Sequence, residues 1–278
     1  MNVLSLFDGI SCGQIALERI GIKSDQYFSS EIDEYAIKIV QKRYPNTMQL
    51  GDVAKVKGEN LPRIDLLMGG SPCQGFSIAG KRLNFDDDRS KLFFEFVRLL
   101  KEVKPKFFLL ENVKMKQEYQ DVISYYLGVL PIEINSSLVS AQNRKRLYWT
   151  NIPNVAQPQN KNIYIDEILE KDAESLIIHN IYGGFKETKH RVFTGKSPTL
   201  RTAAGGGHIP SVVKKGRMSD YSVSDKNSWR KLTPEECERL QTIPAKYTLG
   251  FSDTQRYKMI GNGWTIDVIC HILKSMEM

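Results

Sequence analysis

The chain has 278 residues, enough for one large domain or one domain carrying a smaller insertion. Its 41% hydrophobic and 26% charged content is that of an ordinary globular protein, and no apolar run approaches the roughly 20 residues a membrane helix needs. The formal charge of +7 suits a nucleic-acid partner, while four scattered cysteines with no C-x-x-C pair argue against a zinc site or a disulfide framework.

The start, Met1 to Phe7, lacks a basic signal-peptide region, so a cytoplasmic chain is expected. In that compartment Cys12, Cys73, Cys237 and Cys270 are free thiols. Short apolar runs then recur at Val3–Phe7, Tyr27–Ser30, Thr47–Leu50, Ile64–Met68 and Phe107–Leu110. Helical patterns lie between them, at Tyr35–Tyr44 and at Leu92–Val103, where Leu92, Phe93, Phe96, Val97, Leu99 and Leu100 fall at helical spacing. Strand–helix alternation predicts an α/β, doubly wound, mostly parallel sheet whose ligands gather at the strands' carboxyl ends.

Texture changes after Pro153. Residues 154–229 are polar and basic with little helical period, and Ala203–His208 reads as a flexible glycine loop. Between Phe185 and Arg217 there are eight Lys or Arg (Lys186, Lys189, Arg191, Lys196, Arg201, Lys214, Lys215 and Arg217) against the single acid Glu187. That stretch is a phosphate-binding surface or a solvated loop face. Order returns at Leu232–Leu240, where Thr233 is placed as an N-cap, Pro234 fits the first turn and Glu236 completes a capping box. Trp264–Met276 reads as a last, apolar-faced helix. The expected division is 1–160 with 256–278 as a catalytic domain, and 161–255 as a smaller, loop-rich recognition domain.

The chemistry sits at strand ends. The glycine turn Asp8–Gly13 after the first strand lets backbone approach a cofactor at a helix start. Glu31, about 20 residues on, is placed to hold ribose hydroxyls. Asp52 at the third strand end could accept from an adenine amine. Two acids at successive strand ends suit a nucleoside such as S-adenosylmethionine, and the third glycine that favours pyrophosphate is missing. The competing role of either acid is to cap a helix. The fourth strand ends in Gly69-Gly-Ser-Pro-Cys-Gln-Gly-Phe-Ser77, which puts Cys73 where a thiolate is favoured. The fifth ends in Glu111-Asn-Val113, and neighbouring strand ends can bring Glu111 to the thiol as a general acid. Gly195-Lys-Ser197 is a decoy for a phosphate loop, because His190 stands where that motif needs glycine.

Gly-Ser-Pro-Cys-Gln-Gly-Phe-Ser followed by Glu-Asn-Val resembles the DNA cytosine-5 methyltransferase family. Phe7–Cys12, Leu92-Phe-Phe94, Gln142-Asn-Arg-Lys-Arg146, Leu232–Gln241 and Gly261-Asn-Gly263 resemble further family motifs in the family's order. The match runs from Val3 to about Ile269, apart from 154–229. Two departures, Ser11 with Cys12 in the first motif and Gly-Trp-Thr-Ile in the last, resemble the animal de novo branch and some phage or bacterial enzymes.

The resemblance implies a Rossmann-like enzyme that flips a cytosine out of double-stranded DNA, attacks it with Cys73 and methylates C5 from S-adenosylmethionine, releasing S-adenosylhomocysteine. It implies catalytic roles for Cys73, Glu111, Arg144 and Arg146. Arg146 would help Glu111 hold the base and Arg144 would support the nucleophile loop, phosphate binding being the alternative for both. Phe7, Gly9, Glu31, Ile32, Asp52, Val53, Pro72, Leu92, Asn262 and Trp264 would meet the cofactor. Gln74, Ser77, Lys186, Thr199, Arg201 and His208 would meet DNA, with Lys186, Arg201 and His208 equally open to a solvated role. No metal and no membrane is expected, a monomer is, and a separately acting restriction endonuclease is an open partner. Three rivals stand beside this reading. A tRNA cytosine-5 methyltransferase on the same fold is disfavoured by the basic 185–217 segment, and a catalytically dead DNA-binding relative by intact Cys73, Gln74, Glu111 and Arg146. A nicotinamide dehydrogenase leaves Pro72-Cys73 unexplained.

Overall fold

The computed structural model describes residues 1–71, 88–179, 191–202, 209–219, 222 and 224–277. The chain divides into two compact units, one made of Met1–Ile134, Lys145–Gln157 and Ile269–Met278, the other of Asn135–Arg144 and Pro158–Val268.

Five parallel strands build the first unit: β1 (Asn2–Leu6), β2 (Gln26–Ser30), β3 (Met48–Gln49), β4 (Leu66–Gly69) and β5 (Phe107–Val113). With β6 (Ile132–Asn135) and β7 (Lys145–Thr150) they form a seven-stranded sheet in the order β3-β2-β1-β4-β5-β7-β6 among the described residues. β7 runs antiparallel to its neighbour β5, with Val113 opposite Arg146 and Glu111 opposite Tyr148. β1 sits between β2 and β4, and its last four residues are buried, as a strand covered on both faces requires. The strand order reverses between β1 and β4, so right-handed crossovers send helices to opposite faces and open a crevice at the carboxyl edge.

The helices expected from periodicity are present as α2 (Glu34–Arg43) and α3 (Asp88–Val103), preceded by α1 (Cys12–Arg19) and followed by α4 (Gln117–Leu127). Asp33 caps α2 by accepting from the Tyr35 and Ala36 N–H groups, and Lys42 and Arg43 close its last turn, both favourable to the helix dipole. α3 lays Phe93, Phe96, Val97 and Leu99 into a core shared with Leu4, Leu6, Leu67, Leu110 and Trp149. On its polar side Arg98 bonds Glu95 and Glu102 and reaches the carbonyls of Val53 and Val56, at 3.2 and 2.9 Å. It thereby pins the turn that follows Asp52.

In the second unit a four-stranded antiparallel sheet, in the order β11-β10-β8-β9, consists of β8 (Ala173–His179), β9 (Arg191–Thr194), β10 (Ser211–Lys214) and β11 (Trp229–Lys231). It lies inside the stretch that read as loop-rich. Runs of three to seven residues between long connections carry too little periodicity to announce strands. The expected capping box exists: Thr233 Oγ1 accepts from the Glu236 N–H and Glu236 accepts from the Thr233 N–H, starting α5 (Pro234–Leu240). α6 (Asp253–Asn262) and α7 (Ile266–Lys274) follow, the latter shorter than the expected Trp264–Met276. Among the described residues no helix is long and apolar enough to cross a membrane.

Candidate active site

Because β1, β2 and β3 run parallel, their carboxyl ends come side by side. The turn after β1 places Phe7, Gly9 and Ser11 at φ of 55°, 55° and 60°. Two of these residues carry side chains in a left-handed region that such residues rarely adopt, which marks a turn held by its surroundings. One holder is Asp8, buried, which accepts from Tyr27 Oη and Ser29 Oγ at 2.9 Å each. Burial raises its carboxyl from 3.8 to about 6, against the lowering effect of those hydroxyls.

Another is Glu31. Its carboxylate accepts from the Gly9 N–H at 2.7 Å and from the N–H groups of Ile32 and Asp33 at 2.7 and 2.9 Å. Glu31 is thus fixed at the strand end rather than swinging in solvent. Ile32 beside it is 74% exposed, a large apolar surface with no packing role in the unit. A Cβ placed on Gly9 or on Gly51 would meet nothing within 4 Å, so open space faces both turns. Asp52 caps the short turn Val53–Lys55 through the Ala54 N–H, and Val53 is buried beneath it. These residues fit a nucleoside-bearing cofactor: an anchored carboxylate, an exposed apolar side chain and a second acid line one edge. Leu92, on α3, packs half-buried against the core of this unit.

The second cluster lies at the ends of β4, β5 and β7. Glu111 and Arg146 side chains are only 11% and 13% exposed, and Arg146 Nε stands 3.0 Å from Glu111 Oε1. This is a charge contact rather than an aligned hydrogen bond, since the Nε–H finds no acceptor in line. Next to it Asn112 Nδ2 donates to Ser71 Oγ at 3.2 Å and to the Ser71 carbonyl at 3.3 Å, tying the end of β4 to that of β5. The antiparallel return of β7 is what delivers Arg146 to this edge, and no short-range pattern in the sequence signals it. Pro72, Cys73, Gln74, Ser77, Lys186 and His208 lie outside the described residues. Cys12, Cys237 and Cys270 are all buried; burial pushes the Cys237 thiol well up, with Glu236 and Glu238 adding to the effect.

The remaining predicted residues belong to the second unit. Arg144 is buried and its guanidinium goes to the backbone carbonyls of Leu200, Gly261 and Gly263. Thr199 Oγ1 donates to the Asn143 carbonyl at 2.6 Å, and Arg201 is exposed. Asn262 is exposed at the end of α6, whereas Trp264 is buried. Lys196, counted among the basic phosphate-binding candidates, is instead an internal clamp: its Nζ donates to the carbonyls of Ser137 (2.8 Å), Ser140 (2.9 Å) and Ile163. Partial burial lowers its pKa from the usual lysine value. Gln142 and Gln241, fully buried and hydrogen-bonded to each other at 3.2 Å, were not singled out as site residues; only their place inside quoted motifs pointed to them. Among the described residues no group of His, Cys, Asp or Glu could hold a metal ion.

The family described as C-5 cytosine-specific DNA methylase matches residues 1–123 and 151–278. This chain belongs to that family. It is 32% identical over 310 residues to the Type II methyltransferase M1.ScrFI of Lactococcus lactis subsp. cremoris, covering 99% of this chain and 77% of that one. It is 28% identical over 314 residues to the Type II methyltransferase M.HhaI of Haemophilus parahaemolyticus, covering 98% and 93%. Its fold is that of the S. pombe Dnmt2 methyltransferase (TM-score 0.75, 18% identity, 99% and 98% covered) and of the Entamoeba histolytica methyltransferase EhMeth (TM-score 0.76, 19% identity, 99% and 97% covered). The seven-stranded, mostly parallel sheet is accordingly that of a Rossmann-type methyltransferase, and the chain is an enzyme of the cytosine-5 methyltransferase class, which uses S-adenosylmethionine generally.

Proposed function

We propose that this methyltransferase acts on double-stranded DNA, on a cytosine flipped out of the helix, through a covalent bond between Cys73 and C6. The observation that carries the reading is the Glu111–Arg146 pair beside the Asn112–Ser71 tie. Cys73 follows Ser71 by two residues in the sequence, and the Asn112–Ser71 tie joins the ends of the two strands that lead to the nucleophile loop and to Glu111, which supports this reading.

In this reading the Cys73 thiolate adds to C6 while Glu111, oriented by Arg146, supplies a proton toward N3 and holds the exocyclic amine. C5 becomes nucleophilic; S-adenosylmethionine, when bound, supplies the methyl group. Loss of the C5 proton to a base and expulsion of the thiolate restore the ring. Glu31 and Asp52 hold the nucleoside end of the cofactor, with Phe7, Gly9, Ile32, Val53, Pro72 and Leu92 around it and Asn262 and Trp264 contributed by the last motif. We assign 1–160 and 256–278 to chemistry and 161–255 to recognition, where Thr199, Arg201, Lys186 and His208, with Gln74 and Ser77 of the nucleophile loop, meet DNA. The relatives' names as Type II methyltransferases favour DNA over tRNA, and leave room for a cognate endonuclease acting separately. The enzyme works as a cytoplasmic monomer in this reading.

The test is bisulfite sequencing of plasmid DNA from cells expressing the chain, beside Cys73→Ser. Protected cytosines in one short context, absent in the variant, are expected. Unprotected DNA with protected tRNA cytosines would transfer the assignment to RNA. Glu111→Gln is expected to slow turnover by a factor on the order of 100 or more, the usual contribution of a positioned acid. Duplex binding should weaken steeply between low and physiological salt.

A further inference from the structure

Arg144 carries a permanently charged, planar fork of donors, and in this structure that fork faces backbone. Nη1 donates to the Leu200 carbonyl at 3.0 Å; Nη2 donates to the Gly263 carbonyl at 3.0 Å and to that of Gly261 at 3.4 Å. The residue is 4% exposed, so these carbonyl dipoles replace water around a buried cation. Leu200 lies between Thr199 and Arg201, and Asn262 lies between the two glycines. The same two segments meet directly: a Cβ on Gly261 would stand 2.5 Å from the Arg201 carbonyl oxygen and 2.8 Å from the Thr202 nitrogen. The peptide at Leu200 is held from its other side as well, since Gln142 Oε1 accepts its N–H at 2.8 Å. Gln241 Nε2 holds the second segment through the carbonyls of Ile260 and Gly263, at 3.0 and 2.9 Å.

We propose that Arg144 is a positioning residue that locks the segment carrying Thr199 and Arg201 to the segment carrying Asn262, so that target DNA and S-adenosylmethionine bind cooperatively through one buried guanidinium. This rests on the function proposed above. Neither segment can shift without withdrawing a carbonyl from the fork, and a ligand that orders one therefore orders the other. Such coupling is reciprocal: each ligand tightens the other by the same factor. Lysine has the charge but not the planar fork, and cannot reproduce bonds to two diverging segments.

The experiment uses the full chain and a duplex bearing the context that bisulfite sequencing defines. For wild type and Arg144→Lys, steady-state kinetics give KM for duplex and for S-adenosylmethionine, and duplex Kd is measured with and without S-adenosylhomocysteine. Both KM values are expected to rise about tenfold, more than kcat falls, and the factor by which S-adenosylhomocysteine tightens duplex binding should shrink toward one. A lower melting temperature and active fraction, with both KM values and the coupling factor unmoved, would show a merely structural arginine and overturn the proposal. A fall in kcat alone would overturn it too, returning Arg144 to the chemistry. Gly261→Ala, which forces the same seam apart without touching the guanidinium, keeps the test open if Arg144→Lys does not fold. The same joint loss supports the lock, and loss of only one affinity overturns it. A wild type that protects no plasmid cytosine sinks the proposed function and the lock together, whereas a protecting wild type with uncoupled variants sinks the lock alone.

Discussion

The two units hold their functional residues in place by different physics. In the seven-stranded unit, the strands are placed by burial: Leu4, Leu6, Leu67, Leu110 and Trp149 pack one face of the sheet with Phe96 of α3, and Glu31 and Glu111 sit at the ends of the strands so supported. In the other unit, position comes from buried polar side chains gripping backbone. Lys196 and Arg144 each bind three carbonyls, Glu238 accepts from the N–H groups of Lys246 and Thr248, and Arg230 and Glu236 join β8's approach to α5. Hydrophobic contact is non-directional and forgiving of small changes. A buried charge with named partners is directional, and removing one partner leaves the other desolvated.

The largest expected effect is therefore in the polar unit. Glu236 is fully buried and receives Arg230 at 2.8 and 2.9 Å, the Thr233 N–H at 2.7 Å and the Glu170 N–H at 2.8 Å. Its hydrogen bonds, joined by those of Asp172, hold the Arg230 guanidinium charged beyond the usual arginine value. Glu236→Ala removes the capping box and strands that cation, and should destabilise by about 3–5 kcal/mol in urea unfolding. A cost under about 1 kcal/mol would mean that the polar lattice follows the backbone rather than fixing it.

How much of this was legible beforehand follows the same divide. The parallel strands could be read because buried strands are continuous apolar runs, and their carboxyl ends could be read because Glu31, Asp52 and Glu111 interrupt those runs with charge. The Thr233–Glu236 capping box was local, and its four-residue pattern is its mechanism. Arg146 could be assigned to Glu111 only through resemblance, because the contact depends on β7 returning antiparallel across a long connection. Lys196 was misread for a related reason: a lysine that binds three carbonyls has the same sequence signature as one that binds phosphate. The sheet of the second unit was hidden because its strands are short and their pairings distant.

Asp8 sharpens the contrast, being a buried carboxyl inside the unit whose strands are placed by apolar packing. Its folded value of about 6 exceeds the ordinary 3.8, so the folded chain holds that proton more tightly than the unfolded one. The stability this provides is complete below about 3.8 and is lost as pH rises through about 6. At ~1.4 kcal/mol per pH unit, the loss has a ceiling of about 3 kcal/mol. Asp8→Asn keeps an acceptor for Tyr27 and Ser29 but does not ionise. The unfolding free energy of the variant relative to wild type, measured by urea unfolding, should therefore rise between pH 4.5 and pH 8 by about 1–3 kcal/mol. A difference that stays constant across that range would mean that Asp8 is solvated when charged.

The smallest effect tests the apolar half of the contrast directly. Ile39 on α2 is 1% exposed and sits in a face formed with Ala36 and Val40. Ile39→Val deletes one methyl group, with no donor or acceptor left behind, and should cost about 0.5–1.5 kcal/mol. The strand-end residues do not depend on that contact for direction, so KM for S-adenosylmethionine should stay within about twofold once stability is accounted for, the range left to a distant, independent site. If Ile39→Val raised that KM as strongly as the seam variants of the other unit, burial would prove as directional as hydrogen bonding here. Positioning by two different mechanisms would then collapse into one.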